Sequence, residues 1–298
     1  LPISRAAQFG APALAITDRD SLAGVIRFVQ AAKDFGVAPI VGVNLQLENF
    51  RVTLLAQSDG GWRSLCRLMS ALRPDRNLPT LHIEKIKSLA EYTSNLILLH
   101  GPDSQVANLI TKHRPDQALQ VFNKYRPYFA DSVIECVSHL VPGDGPRSTS
   151  HAGRMQGFAR DHDLPAVITN AVRMLNATDG PIADILDASR KLVPLHKRHV
   201  ERQNNEAYLK SNQAMRDLAD EISRAAGERN PFLDRDADAG DRERESREIT
   251  RAGRHLQHAL CGNAGGADRQ SGDRIERLRP AKLVRHGRAG GCAEADRR

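Results

Sequence analysis

Over roughly the first 230 residues, short β-branched apolar runs alternate with stretches whose apolar positions recur every three or four residues, which predicts repeated strand and helix units. The chain opens at Leu1 in what reads as the middle of a helix, LPISRAAQFG. Ala13 to Thr17 (ALAIT) predicts a buried strand. Ser21 suits the N-cap of a helix whose Ile26, Val29, Ala32 and Lys33 follow helical spacing to Gly36. Pro39 to Val43 (PIVGV) and Arg51 to Ala56 (RVTLLA) are the next strands, and Trp62, Leu65, Cys66 and Met69 then fall on one helix face, as core residues do.

Pro74 to Pro79 interrupts the pattern as a loop. Strands are expected at Leu96 to Leu99, ending at His100-Gly101, and at Val133 to Val137, ending near His139. A turn-rich loop at Pro142 to Ser148, a helix over Ser150 to Asp161, a strand at Ala166 to Thr169 and a helix over Asp179 to Ser189 complete the series. Repetition of strand, crossover and strand predicts an α/β fold with a mainly parallel sheet, and the pattern does not separate an open sheet from a closed barrel.

From Pro231 the texture changes, with no aromatic residue after Phe232, and fourteen arginines against one lysine. Apolar anchors this sparse do not offset a backbone ordering cost of about 1–2 kcal/mol per residue, so 231–298 is expected to be a disordered tail. Out-of-frame reading of a GC-rich gene would produce such a composition, and so would a natural disordered tail.

Composition adds bounds. The 298 residues, 40% hydrophobic and 27% charged, suffice for the core of one α/β domain with an appendage. No apolar run approaches the roughly 18 residues of a spanning helix, so no membrane partner is expected. Cys66, Cys136, Cys261 and Cys292 include no C-x-x-C pair, which points away from a structural zinc or a disulfide framework and toward a reducing cytoplasm. A formal charge of +7 permits nucleic-acid contact without arguing for it. In the basic stretch Arg190 to Arg202, the residues Lys197, Arg198 and Arg202 are candidates to touch DNA or an acidic surface, and a solvated linker explains them equally.

In a barrel-like α/β fold, functional groups gather at the C-terminal ends of the strands. The residues there are Asp18 with Arg19, Asn44, His100, His139, and Asn170 with Ala171 and Arg173. They lie within recognisable stretches. AAQFGAPALAITDRDSLAGVIRFVQAAKDFGVAPIVGVNL is similar to AALGxPALAITDHDxLxGxxxFxxAAKxxGIxPIxGxEL, the pattern of the polymerase-and-histidinol-phosphatase (PHP) domain in bacterial C-family DNA polymerases. VTLLAQSDGGWRSLCRLMSAL, VIECVSHLVPGD, LPAVITNAVRM and NNEAYLKSNQAM resemble later landmarks of that family in the right order.

The resemblance implies a PHP-type distorted (β/α)7 barrel, here without its first strand and cut at both ends, with a PHP domain over 1–190, a connector toward the polymerase palm over 191–230 and the tail beyond. Active PHP domains hold a cluster of divalent metals on His, Asp, Glu or Cys ligands for phosphoester hydrolysis. Here the initial H-x-H would lie before Leu1, Asp18 is followed by Arg19 in place of His, Asn44 stands for Glu, and Ala171 and Arg173 replace the Asp and His of T-N-D-x-H. Guanidinium groups keep their charge and repel cations, so no metal is expected, and Arg19 or Arg173 is expected to pair with Asp18. His100 and His139 are expected as strand-end residues bonded to backbone, or as vestigial ligands. This pattern resembles error-prone members of the family, which implies a non-catalytic fragment. The parent would use magnesium at palm carboxylates absent from this sequence, and its partners would be the remaining polymerase chain, DNA, and a sliding clamp or repair factors. The alternatives are a metal-dependent phosphoesterase or 3′–5′ exonuclease of the PHP superfamily, and a truncated gene product without function.

Overall fold

The computed structural model describes residues 2–47, 49–72, 90–93, 95–196, 200 and 202–227. The stretches Pro74–Pro79 and 231–298, together with Lys197 and Arg198, lie outside the described residues. Strands β1 (Ala13–Ile16), β2 (Ala38–Leu47), β3 (Phe50–Ala56), β4 (Leu96–His100), β5 (Asp131–Val137) and β6 (Ala166–Thr169) form one sheet in chain order. The sheet curls into a half-barrel with β1 and β6 as its outer strands.

The strand runs fall where apolar patterning places them, but the sheet is mixed. β1–β2, β4–β5 and β5–β6 pair parallel, whereas β2–β3 and β3–β4 pair antiparallel. The expectation of a mainly parallel sheet holds for three of the five pairings, and β3 alone departs from it: β2 runs on to Leu47 and β3 starts at Phe50, leaving too few residues for a crossover.

Around the sheet lie α1 (Pro2–Gln8), α2 (Val25–Asp34), α3 (Asp59–Ala71), α4 (Ala90–Thr93), α5 (Gln105–Thr111), α6 (Pro115–Tyr125), α7 (Thr149–Asp161), α8 (Gly180–Lys191) and α9 (Asn212–Ala225). Four of them start on a serine, Ser58, Ser104, Ser148 and Ser211, whose hydroxyl accepts a backbone N–H of the first turn, each cap contributing about 1 kcal/mol. Ser21 does not cap α2. Its hydroxyl accepts Ala23 N–H at 3.2 Å within a tight turn, and the helix starts at Val25. The buried face of α2 is Val25 and Ala32, while Ile26 is 59% exposed, a correction of the face expected from spacing.

Side-chain alternation assigns the two faces of the sheet. Val43, Leu45, Leu54, Leu96 and Leu98 point outward against α3, and Ile134 and Cys136 point outward against α5, α6 and α7. Leu55, Ile97, Leu99 and Val133 point inward with Ile40 and Val167. Phe122 of α6 is wholly buried in the outer layer, where truncation to Ala costs about 3–5 kcal/mol.

The stretch expected to be a connector returns to the sheet. Arg173 and Met174 donate their backbone N–H to Ala207 O at 2.8 and 3.1 Å, and Leu209 N–H donates to Met174 O at 3.0 Å. Beyond it, α9 buries Leu218 and Ile222 among the residues of α5, α6 and α7. The described part of 191–230 therefore shares the core of the preceding residues.

Candidate functional site

Five strands run in one direction and β3 runs against them, so the C-terminal ends of the five and the start of β3 share one rim. On the β1–β2 side the pairing resumes past β1. Asn44 N–H donates to Asp18 O and Asp20 N–H to Asn44 O, each at 3.0 Å, with Arg19 bridged to Asn44. The Asp18 carboxyl is turned toward the start of α2, where a Cβ on Gly24 would come within 2.7 Å of Oδ2, and burial pushes its pKa up.

Asn44 faces the inside of the half-barrel and is held by its neighbours. Its Nδ2 donates to Thr53 Oγ1 at 3.1 Å. The guanidinium of Arg51, on the facing strand, donates to Asn44 Oδ1 at 2.6 Å, Asn44 O at 2.7 Å, Gln46 Oε1 at 2.9 Å and Asp20 Oδ2 at 2.8 Å. Asp20 completes the ring by accepting Gln46 N–H through Oδ1 at 2.9 Å. Arg51 and Asp20 are only 16% and 15% exposed, so this pair is far better shielded than a surface ion pair.

At the β5–β6 end the inward residues are Glu135 and Thr169. Thr169 Oγ1 donates to Glu135 Oε1 at 2.7 Å and in turn accepts Ala171 N–H at 3.3 Å. Desolvation raises the Glu135 pKa most; Asp103 adds to the rise, while the Thr169 bond and the nearby Arg147 oppose it. Gly101 lies over this carboxyl with no room for a side chain. Arg147 pairs with Asp103 at the same edge.

The two histidines part company. His139 is buried, and its Nε2 donates to Asn170 O at 2.9 Å, so that nitrogen carries a proton and offers no lone pair to a cation. Desolvation is the main cause lowering its pKa. His100 follows Leu96 and Leu98 on the outward face, its ring 5.1 Å from that of Phe122 and 6.1 Å from that of Tyr125. Its Nε2 has no hydrogen-bond partner and burial lowers its pKa to about 3. The expected backbone bond is present at His139 and absent from His100 Nε2, because strand alternation turns that ring into the helix layer.

Asn170 anchors the returning segment, its Nδ2 donating to Glu206 O at 2.9 Å and Tyr208 O at 2.7 Å. Ala171 holds a positive φ of 39°, in the left-handed region. Arg173 reaches outward to Asp187 of α8 at 2.6 Å, which replaces the pairing with Asp18 expected for it. Arg202 donates through Nε and Nη2 to the two carboxylate oxygens of Asp184, each at 2.6 Å, and through Nη1 to Asn205 Oδ1 at 2.5 Å.

The residues therefore fit a divalent cluster poorly. Asn44 is engaged by a fixed cation, His100 faces away, His139 Nε2 is committed to a carbonyl, and no group of three or more His, Cys, Asp or Glu among the described residues could hold a metal ion. Residue patterning missed Arg51, Asp103, Glu135 and Arg147. Two signals were available: a charge inside the apolar run VIECV, and polar residues at Asn44, Gln46, Arg51 and Thr53 at a period of two on facing strands.

Comparison with known proteins agrees with the ordered landmarks. Residues 2–139 match the PHP domain. An error-prone DNA polymerase of Symbiobacterium thermophilum is 31% identical over 235 residues, covering 72% of this chain and 21% of that protein. DNA polymerase III subunit alpha of Vibrio cholerae is 29% identical over 178 residues, covering 57% of this chain and 15% of that protein. The alpha subunit of Buchnera aphidicola from Acyrthosiphon pisum is 27% identical over 234 residues, 75% of this chain and 20% of that protein. The chain thus spans about a fifth or less of the length of these relatives.

Proposed function

With residues 2–139 a PHP domain, we propose that the chain is the PHP portion of a C-family DNA polymerase of the error-prone type and acts there as a metal-free structural domain. The fold we assign is a distorted (β/α)7 barrel, of which the described residues hold six strands. The observation that carries the reading is the Arg51 guanidinium seated on Asn44, at the position where the resemblance implies a glutamate ligand. A cation brought there would meet an amide already used twice and a permanent positive charge a few ångströms away, whose nearest carboxylate, Asp20, is already engaged by Arg51 and Gln46 N–H. Arg19 and Arg173 stand where the resemblance implies histidines, so neither position offers an imidazole lone pair.

In this reading the rim holds the domain together, and the partners are the remaining polymerase chain, DNA through that chain, and a sliding clamp or repair factors. Nucleotide transfer would belong to magnesium-binding carboxylates elsewhere in the parent.

Metal analysis of the purified chain after dialysis against manganese or zinc, paired with a phosphodiesterase and 3′–5′ exonuclease assay, tests this. The expected result is no stoichiometric metal and no hydrolysis. A retained metal cluster with cleavage of a phosphodiester would replace the structural reading with the hydrolytic one.

A further inference from the structure

Helix α8 is apolar on the side that faces solvent. Its inner side is made of small residues, Gly180, Ala183 and Ala188, with Asp187 among them, and these are buried. Ile182, Ile185 and Leu186 are 58%, 55% and 64% exposed. At 3.6 residues per turn these three and Ser189 form a single stripe diametrically opposite the buried one. The acidic side chains of the helix do not interrupt it, because Asp184 is bound to Arg202 and Asp187 to Arg173. Leu192, at a left-handed C-cap, is 92% exposed and prolongs the stripe past the last turn. A helix apolar on both sides is one that is normally covered, and an exposed apolar patch of this kind marks a contact surface.

We propose that this stripe is a two-fold interface with a second copy of the same chain. The sequence of α8 is self-complementary when two copies run antiparallel. An axis between Ile185 and Leu186 sets Ile182 of each copy over Ser189 of the other, a large side chain against a small one, with the Ile185 and Leu186 side chains meeting at the centre. The same axis brings Arg190 of the last turn, which flanks the stripe, beside Asp179 just before the partner's first turn. It also opposes the two helix dipoles. A parallel pair would set like charges side by side and Ile182 against Ile182, so the charge order selects the antiparallel arrangement. The surface and partner follow from α8 alone and do not depend on the polymerase reading.

Light scattering on the full chain across a dilution series tests the interface. The expected result is the mass of two chains at high concentration falling to one on dilution. Ile182→Glu and Leu186→Glu should each raise the dissociation constant at least tenfold with an unchanged circular dichroism spectrum, and Leu186→Ser provides the milder change if a glutamate disturbs folding. A single-chain mass at every concentration would overturn the proposal. So would open-ended assembly, or a dimer that none of these substitutions weakens, which would place association elsewhere, such as at the outer strands β1 and β6.

Discussion

The two ends of the rim solve one problem with different chemistry. At β2–β3, polar side chains are satisfied by one another around the Arg51 guanidinium, a fixed charge with its carboxylate partner. At β5–β6, side chains are spent on backbone: Asn170 holds the carbonyls of Glu206 and Tyr208, His139 holds that of Asn170, and Asn204 Nδ2 donates to His139 O at 2.5 Å. The first end closes a hairpin that its own turn already keeps together. The second fastens a segment distant in sequence, for which no turn substitutes. A rim built this way commits many of its polar groups to holding strands and segments together.

The contrast predicts a cost at each end. Asn170→Ala should cost about 2–4 kcal/mol by denaturant unfolding, because it removes two hydrogen bonds and takes from Tyr208 O its Asn170 donor, while Glu206 O keeps Lys210 Nζ at 2.9 Å. Proteolysis within 202–210 should increase in step. A loss below about 1 kcal/mol would show that the segment is held by α9 alone. Arg51→Met should cost a comparable amount, about 2–4 kcal/mol, since it removes four hydrogen bonds, among them the one to the Asp20 carboxylate, which is only 15% exposed. The double change Arg51→Met with Asn44→Glu should raise manganese affinity above that of the parent chain. An unaltered affinity would mean that Arg51 is not what disfavours a cation.

Two pH-dependent effects distinguish the two faces of the sheet. Glu135 has a raised folded pKa, so the folded state holds its proton longer than the unfolded one. Stability is therefore lost as pH rises from the ordinary glutamate value through the folded pKa. Glu135→Gln, which can keep the Thr169 bond, should raise the melting temperature more at pH 8 than at pH 4. His100 has the opposite sign. Its folded pKa of about 3 lies below the ordinary 6.5, so stability is lost as pH falls from about 6.5 toward 3 while the unfolded chain takes up the proton. His100→Leu should flatten that acid limb and leave the alkaline side unchanged. If both substitutions shift the melting temperature equally at every pH, neither group titrates as its burial implies.

Much of this was legible in one dimension. The runs ALAIT, LILL, VIECV and AVIT are short, β-branched and bounded by turn residues, and each lies in a strand. The order of the landmarks placed the D-R and N-A-V-R positions at strand ends, where the structure has them, whereas Asn44 lies within β2. Ser21 misled because a serine hydroxyl closes a local turn as readily as it caps a helix. Helix α9 lies within the stretch expected to be a connector, although Met215, Leu218 and Ile222 share a face behind the Ser211 cap at a helical period.

By itself the sequence determined which segments are extended, which are helical, and what kinds of side chain reach the strand ends, since these follow from local sterics and from apolar periodicity. Only the tertiary structure decided which way those side chains point and whom they meet. Both faces of β4 are apolar, so period two is silent there and nothing local says that His100 turns to Phe122. Arg51 finds Asn44 through a strand register and Arg173 finds Asp187 through the packing of a helix on its sheet. A register or a packing angle belongs to pairs of segments, and no single segment encodes it.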